Sequence, residues 1–297
     1  MTTSTWIKRN TAGLDGRTVA ISGATGGIGK ELCSHLCALG ANLILLDRNR
    51  QKSQALGKSL TERFSHISVS YITVDMENID SVRAATEKLL QTKVDFLILN
   101  AGAYAIPRKK CDTGYDNVFQ INFVSPYYMA RRLFPLISQR GGRIVAVSSI
   151  AHNYSVTDMS DVDFSSRKKA SLVYGNAKRF LTYSLSELCA ESGALSITHP
   201  GITFTNITAH YPKLIFAIIK YPMKVIFMKP RKAALSILLG IFSPTAKSKW
   251  IGPRFFNVWG LPKKKRLNTA SSTEIKEISD CAERIFTKIT EDNPNTL

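Results

Sequence analysis

The sequence predicts an α/β protein: a doubly wound parallel sheet over the first two thirds of the chain, with an elaboration at the C-terminal end. Three observations carry this prediction. Strand-like and helix-like segments alternate without a break for about 180 residues. The strand segments are near-continuous apolar runs, the pattern of strands buried on both faces. A glycine-rich turn lies directly between the first strand and the first helix.

Residues 18–22 (TVAIS) read as the first buried strand, and KELCSHLCAL as the helix after the glycine turn, stopped at Gly40. Residues 41–47 (ANLILLD) form the second strand, followed by a polar helix near 50–64. The alternating segment 68–74 (SVSYITV) is the third strand, with a helix near 77–91 behind it. Strand four is 94–99 (VDFLIL), and one long helix is expected over about 113–139, ending at Gly141 and Gly142. Strand five is 143–148 (RIVAVS), a helix covers about 171–192, and strand six is 194–199 (ALSITH). Near the C-terminus, Ser272 followed by Ile275, Ile278, Cys281 and Ile285 marks a capped amphipathic helix over about 271–290, read as a docking helix.

No Pro/Gly/Ser-rich linker, internal repeat or low-complexity tract divides the 297 residues. One domain is expected over 1–297, with its core at about 14–206 and a lid and C-terminal region at about 207–297. A hydrophobic content of 44% supplies a real core and excludes a disordered chain or a disulfide-stapled miniprotein. No stretch approaches the ~18 uncharged apolar residues of a spanning helix. The longest candidate, 214–228, is interrupted by Lys220, Pro222 and Lys224. The first residues lack the apolar region of a signal peptide, so a cytoplasmic location is expected. The five cysteines fit reduced thiols; Cys33 and Cys37 stand one helical turn apart with no second pair, and no metal site is expected.

The candidate chemistry begins in the turn 22–29, Ser-Gly-Ala-Thr-Gly-Gly-Ile-Gly. Gly23, Gly27 and Gly29 let the backbone turn sharply and approach a pyrophosphate, and the following helix N-terminus offers unpaired N–H groups. Asp47 closes strand two, where a carboxylate would accept hydrogen bonds from adenosine ribose hydroxyls and repel a 2′-phosphate. Arg48, the next residue, would instead clamp a 2′-phosphate. The two argue in opposite directions, and the balance tips towards NAD over NADP.

Tyr174 and Lys178 are four apart on a helix and therefore share a face. A free phenol has a pKa of about 10, and a nearby ammonium would lower it towards the range of a general acid or base. Around this pair, Ser148 and Ser149 end strand five, Asn100, Ala101 and Gly102 end strand four, and Asp75 ends strand three. Pro200, Gly201 and Thr205 follow strand six, and Asn122 lies within the long helix. The strand ends lie at the carboxyl edge, where doubly wound sheets bind ligands.

Over roughly residues 14–206 the chain resembles the short-chain dehydrogenase/reductase family. The family's T-G-x-x-x-G-x-G motif appears as residues 22–29, including Thr25 and Ile28, with Ser22 in place of the first threonine. Its N-A-G motif is intact at Asn100, Ala101 and Gly102, and its adenine-contacting aspartate matches Asp75. Its catalytic tetrad maps onto Asn122, Ser149, Tyr174 and Lys178, and its P-G-x-x-x-T motif onto Pro200, Gly201 and Thr205. Ser149 and Tyr174 are 25 residues apart; the long insert, with Ile150, Ala151, His152 and Phe164, resembles the retinol-dehydrogenase-like branch.

The resemblance implies a Rossmann fold and hydride transfer between NAD or NADP and a carbinol carbon. It implies Tyr174 as proton donor or acceptor, with Lys178 lowering its pKa and bonding the nicotinamide ribose. Ser149 would hold the substrate oxygen, Asn122 a relay water, and Thr205 the nicotinamide carboxamide. A homodimer or homotetramer is a family expectation. The alternative is a non-catalytic dinucleotide sensor or scaffold, which loss of Tyr174 or Lys178 would have favoured; both are present.

The C-terminal third carries a further signal. Residues 211–232 are rich in apolar and aromatic side chains, which would line a greasy pocket for a lipophilic alcohol, ketone or aldehyde. The same stretch holds Lys213, Lys220, Lys224, Lys229, Arg231 and Lys232, and Lys263–Arg266 is a basic run; the whole chain has a net charge of +18. Basic residues interleaved with large apolar ones fit peripheral contact with an anionic membrane surface through 211–232, the other reading being a solvated basic face. No nucleic-acid motif accompanies the charge.

Overall fold

The computed structural model describes residues 1–188, 193–203, 228–245 and 247–291. In chain order, α1 (Thr3–Asn10) precedes β1 (Thr18–Ser22), α2 (Gly27–Ala38), β2 (Asn42–Asp47), α3 (Arg50–Arg63) and β3 (Val69–Thr73). Then come α4 (Ile79–Leu90), β4 (Phe96–Leu99), the short α5 (Asn117–Phe119), a wide helical turn over Gln120–Val124, and α6 (Ser125–Gln139). They are followed by β5 (Arg143–Val147), a tight turn over Ile150–Tyr154, α7 (Ala170–Leu188) and β6 (Leu195–Thr198). The described chain closes with α8 (Pro230–Phe242), β7 (Lys249–Phe255), β8 (Trp259–Arg266) and α9 (Ser272–Glu291).

The described strands form one sheet in the order β3-β2-β1-β4-β5-β6-β7-β8. All neighbours pair parallel except β7 and β8. The order reverses between β1 and β4, which opens a crevice at the carboxyl ends of those strands. The apolar strands supply both layers at once, because successive side chains point to opposite faces. Val19 and Ile21 join the core under α2 and α8, while Ala20 between them joins the core under α4, α6, α7 and α9.

Helix ends follow local chemistry. Gly40, at φ 90°, ends α2 through Gly40 N–H to the Cys37 carbonyl (3.0 Å) and Ala41 N–H to the Leu36 carbonyl (3.1 Å). Asn49 and Asn78 cap α3 and α4 with their side-chain oxygens. The docking helix α9 buries Ile278, Cys281, Ala282, Ile285 and Ile289. It is anchored by Arg179, whose Nε and Nη2 reach the two Glu274 oxygens at 2.6 and 2.7 Å.

Four elements depart from the sequence reading. The long helix expected over 113–139 is broken: the Ser125 N–H bonds the Gln120 carbonyl five residues back, widening one turn around Asn122. Helix α1 is short and buries only Trp6, so it carries little apolar periodicity. Helix α8 falls inside the stretch read as an apolar lid. The β7–β8 hairpin went unread because Lys263, Lys264, Lys265 and Arg266 replace apolar residues on its outer strand. Thr205 and residues 204–227 of the basic-apolar segment lie outside the described residues, as do 189–192.

Candidate active site

The glycine turn is built by close approach. Gly23 has φ 67°, and a Cβ there would lie 2.9 Å from the Ala101 Cα. A Cβ on Gly29 would lie 2.3 Å from the Gly23 carbonyl oxygen, so the turn closes only with hydrogen at that position. Ser22 ties the turn to β4: its hydroxyl accepts from the Asn100 and Ala101 N–H groups, both at 3.0 Å. Asn100 answers by donating Nδ2–H to the Ser22 and Gly23 carbonyls, each at 3.0 Å. The serine that replaces the family threonine therefore does its structural work with the hydroxyl alone.

Beyond the turn lies a cleft of about 400 Å³, lined by Gly23, Thr25, Gly26, Gly27, Ile28, Gly29, Asp47, Arg48, Asp75, Asn100, Ala101 and Gly102. Apart from Gly26, these residues are among those read from the sequence as a dinucleotide site, and they come from four separate strand ends; Ser22, Tyr174, Lys178, Pro200 and Gly201 do not line the cleft, and Thr205 lies outside the described residues. The Asp47 carboxylate is buried and fixed: Oδ1 accepts from the Thr25 N–H (3.2 Å) and hydroxyl (2.9 Å), and Oδ2 from the Ser53 hydroxyl (2.9 Å). The Arg48 side chain is 72% exposed and leans towards Asp75, Nη1 to Oδ2 at 3.9 Å. Ser53 was not read from the sequence; a serine in a polar helix gives no signal by itself.

At the other end of the crevice, α7 delivers Tyr174 and, one turn on, Lys178. Lys178 is buried, its Nζ donates to the Val147 carbonyl at 2.9 Å, and it lies 5.8 Å from the Tyr174 ring centroid. Burial pushes the Tyr174 phenol up to about 12, against the pull of a hydrogen bond with the Ser149 hydroxyl and with a further upward push from Tyr104. Burial lowers the Lys178 ammonium to about 7. Burial thus disfavours the charged form of each group. Lys178 is not among the groups that shift Tyr174 in this arrangement.

Ser149 follows β5 and caps the turn over Ile150–Tyr154, accepting from the Ala151 N–H at 3.2 Å. Asn122 sits in the widened turn before α6. Its Nδ2 donates to the Ala103 and Val118 carbonyls, both at 2.8 Å, and its Oδ1 accepts from the Ala103 N–H at 3.3 Å. A Cβ on Gly102 would lie 2.9 Å from Asn122 Oδ1 and 3.6 Å from Lys178 Nζ, so the glycine leaves the space that both groups face. Pro200 and Gly201 follow β6, with Gly201 at φ 89°. Tyr104 escaped the sequence reading: it stands edge-on to Tyr174, ring centroids 5.3 Å apart, and an aromatic in a loop carries no periodic signal.

Two histidines support the site from beneath. His152 donates Nδ1–H to the Ser149 carbonyl at 2.6 Å, and His199 donates Nε2–H to the Asn257 carbonyl at 2.8 Å. Burial lowers His152 to about 4 and His199 to about 3, below the ordinary imidazole value of 6.5. The unfolded chain therefore binds protons that the folded chain refuses. Their stabilisation is complete above about pH 6.5 and is lost as pH falls towards those folded values, by roughly 2–3 kcal/mol per imidazole at about pH 4.5. Urea midpoints measured across that window should fall steeply in the wild type and less steeply in His152→Asn.

The sequence profile of the short chain dehydrogenase family matches residues 17–211. The chain belongs to that family. Retinol dehydrogenase 13 of Homo sapiens is 26% identical over 286 residues, covering 93% of this chain and 77% of that protein. Polyprenol dehydrogenase of Homo sapiens is 26% identical over 207 residues, which span 65% of this chain and 63% of that protein, short of two thirds of its length. A crystal structure of a protein from Mycobacterium paratuberculosis aligns with a TM-score of 0.71 at 22% identity, covering 95% of this chain and 96% of the other. A short-chain dehydrogenase from Sphingobium yanoikuyae in complex with NADPH aligns with a TM-score of 0.59 at 18% identity, covering 95% and 98%. In sequence the chain is similar to the retinol dehydrogenases of the family, retinol dehydrogenase 14 of Homo sapiens being likewise 26% identical, over 265 residues that cover 82% of this chain and 78% of that protein. No helix among the described residues is long and apolar enough to cross a membrane.

Proposed function

We propose that this chain transfers a hydride between NAD and a lipophilic alcohol or its carbonyl, with Tyr174 as general acid/base. The observation that carries the reading is the meeting of Tyr174, Ser149 and Lys178 beyond the end of β5, with Gly102 of the glycine cleft lying next to Lys178 Nζ. Gly23, Gly27, Gly29, Asp75, Asn100, Ala101 and Gly102 would hold the dinucleotide, with Pro200, Gly201 and Thr205 towards its nicotinamide end. Bound there, the nicotinamide supplies the hydride acceptor in oxidation and the donor in reduction. In oxidation, Tyr174 takes the hydroxyl proton as the carbinol C–H bond breaks, and Ser149 holds the substrate oxygen by hydrogen bond. Lys178 supplies the compensating positive charge, and Asn122 holds a water in line with it for proton exchange.

The NAD preference rests on Asp47. A carboxylate locked by Thr25 and Ser53 at the cleft wall cannot swing away from a 2′-phosphate, and its burial leaves it poorly screened. Arg48 is solvated and shares its charge with Asp75. Fluorescence titrations should give NADH at least about tenfold tighter than NADPH, with Asp47→Ala narrowing the gap; tighter NADPH in the wild type overturns the preference.

Lipophilic substrates are supported by the apolar, aromatic composition of 211–228 and by relatives named for retinol and polyprenol. Peripheral attachment to an anionic membrane surface, where such substrates dissolve, is supported by the charge of the C-terminal third: residues 192–273 hold thirteen Lys and Arg and no Asp or Glu.

A further inference from the structure

The β7–β8 hairpin ends in an aromatic tip that stands partly exposed. Phe255, Phe256 and Trp259 are 42%, 83% and 47% exposed. Phe256 and Asn257 both adopt left-handed backbone, at φ 49° and 58°, a conformation that costs free energy in residues other than glycine. The surroundings hold it in place. Lys265 Nζ donates to Asn257 Oδ1 at 2.7 Å, His199 Nε2–H to the Asn257 carbonyl at 2.8 Å, and Ile202 N–H to the Val258 carbonyl at 3.2 Å. A rigid turn thus keeps a large apolar side chain in water, the arrangement expected of an interaction site.

The charge around the tip indicates its partner. Arg254 stands over the Phe255 ring at 5.7 Å, and Lys263, Lys264 and Arg266 are exposed along β8 behind the tip. We propose that this tip docks the protein on an anionic lipid bilayer, with Phe255, Phe256 and Trp259 entering the headgroup region and the β8 cations facing lipid phosphates. The inference rests on the membrane reading above and assigns it a site distinct from 211–232. Tryptophan and phenylalanine suit the interface between water and hydrocarbon, and lysine stems reach anionic headgroups while lying along apolar surface. Single-stranded nucleic acid fits less well, because it needs ring faces open for stacking. Phe255 and Trp259 turn theirs towards each other, 4.8 Å apart and 32° from parallel.

Docking there would also place the site against the lipid. Ile202 is bonded to the turn, and a Cβ on Gly201 would lie 2.6 Å from the Val258 carbonyl oxygen, so the Pro200–Gly201 loop and the tip form one unit.

The three tryptophans make the test direct, since Trp6 and Trp250 are buried and Trp259 is the exposed one. The full chain would be mixed with phosphatidylcholine vesicles with and without phosphatidylglycerol, and emission and co-sedimentation followed. The expected result is a blue shift and sedimentation with the anionic vesicles only, both reversed by salt, and binding about tenfold weaker in Phe256→Ser. Sedimentation with unchanged emission and an unaffected Phe256→Ser would overturn the tip while leaving membrane attachment standing. No sedimentation would overturn both. A blue shift with a thymidine oligonucleotide and none with vesicles would assign the tip to nucleic acid and overturn the proposal.

Discussion

Tyr174→Phe is expected to lower turnover by about 10³-fold, within the range for loss of a positioned general acid or base. The substitution keeps the ring, and with it the edge-on contact with Tyr104 and the place above Lys178. It removes only the hydroxyl that pairs with Ser149, the group proposed to exchange the substrate proton. Dinucleotide affinity should stay within about twofold, because the glycine cleft is untouched. Steady-state rates together with cofactor fluorescence check both halves. A mutant with the wild-type rate would remove Tyr174 from the chemistry and return the chain to the dinucleotide-sensor reading.

Gly29→Ala carries the second large effect. The added methyl would meet the Gly23 and Ala24 carbonyl oxygens at 2.3 and 2.7 Å, and both are backbone atoms with no rotamer to yield. The turn must open to admit it, which separates the N–H groups at the start of α2 from any bound pyrophosphate. Cofactor affinity is expected to fall by about 100-fold and stability by about 1–3 kcal/mol. Calorimetric titration and thermal melts on one sample separate the two. Cofactor bound at wild-type affinity by the folded variant would show that the phosphates sit elsewhere.

Much of this site was legible in the sequence because its parts sit at strand ends, and each strand announces itself by composition. The runs TVAIS and VDFLIL placed Ser22 and Asn100 at strand ends, and the structure makes the two strands neighbours and joins the residues by hydrogen bonds in both directions. Tyr174 and Lys178 were legible for a different reason, since helical spacing alone puts them on one face. Asn122 was found as a residue but not as a conformation: the π-widened turn around it leaves no mark on apolar periodicity. Ser53 and Tyr104 were missed because their roles are set by what lies opposite them in space, Asp47 and Tyr174. The hairpin was missed because its outer strand is cationic, a composition that protects a free sheet edge and hides the strand from hydropathy.

The central claim is tested most directly by following nicotinamide absorbance while the purified chain is offered NAD and a series of long-chain, prenyl and retinoid alcohols in detergent micelles. The account predicts NAD reduction that grows with substrate lipophilicity and disappears in Tyr174→Phe. Folded protein that binds NADH but reduces no NAD with any of these alcohols, and oxidises no NADH with the matching aldehydes and ketones, would contradict it.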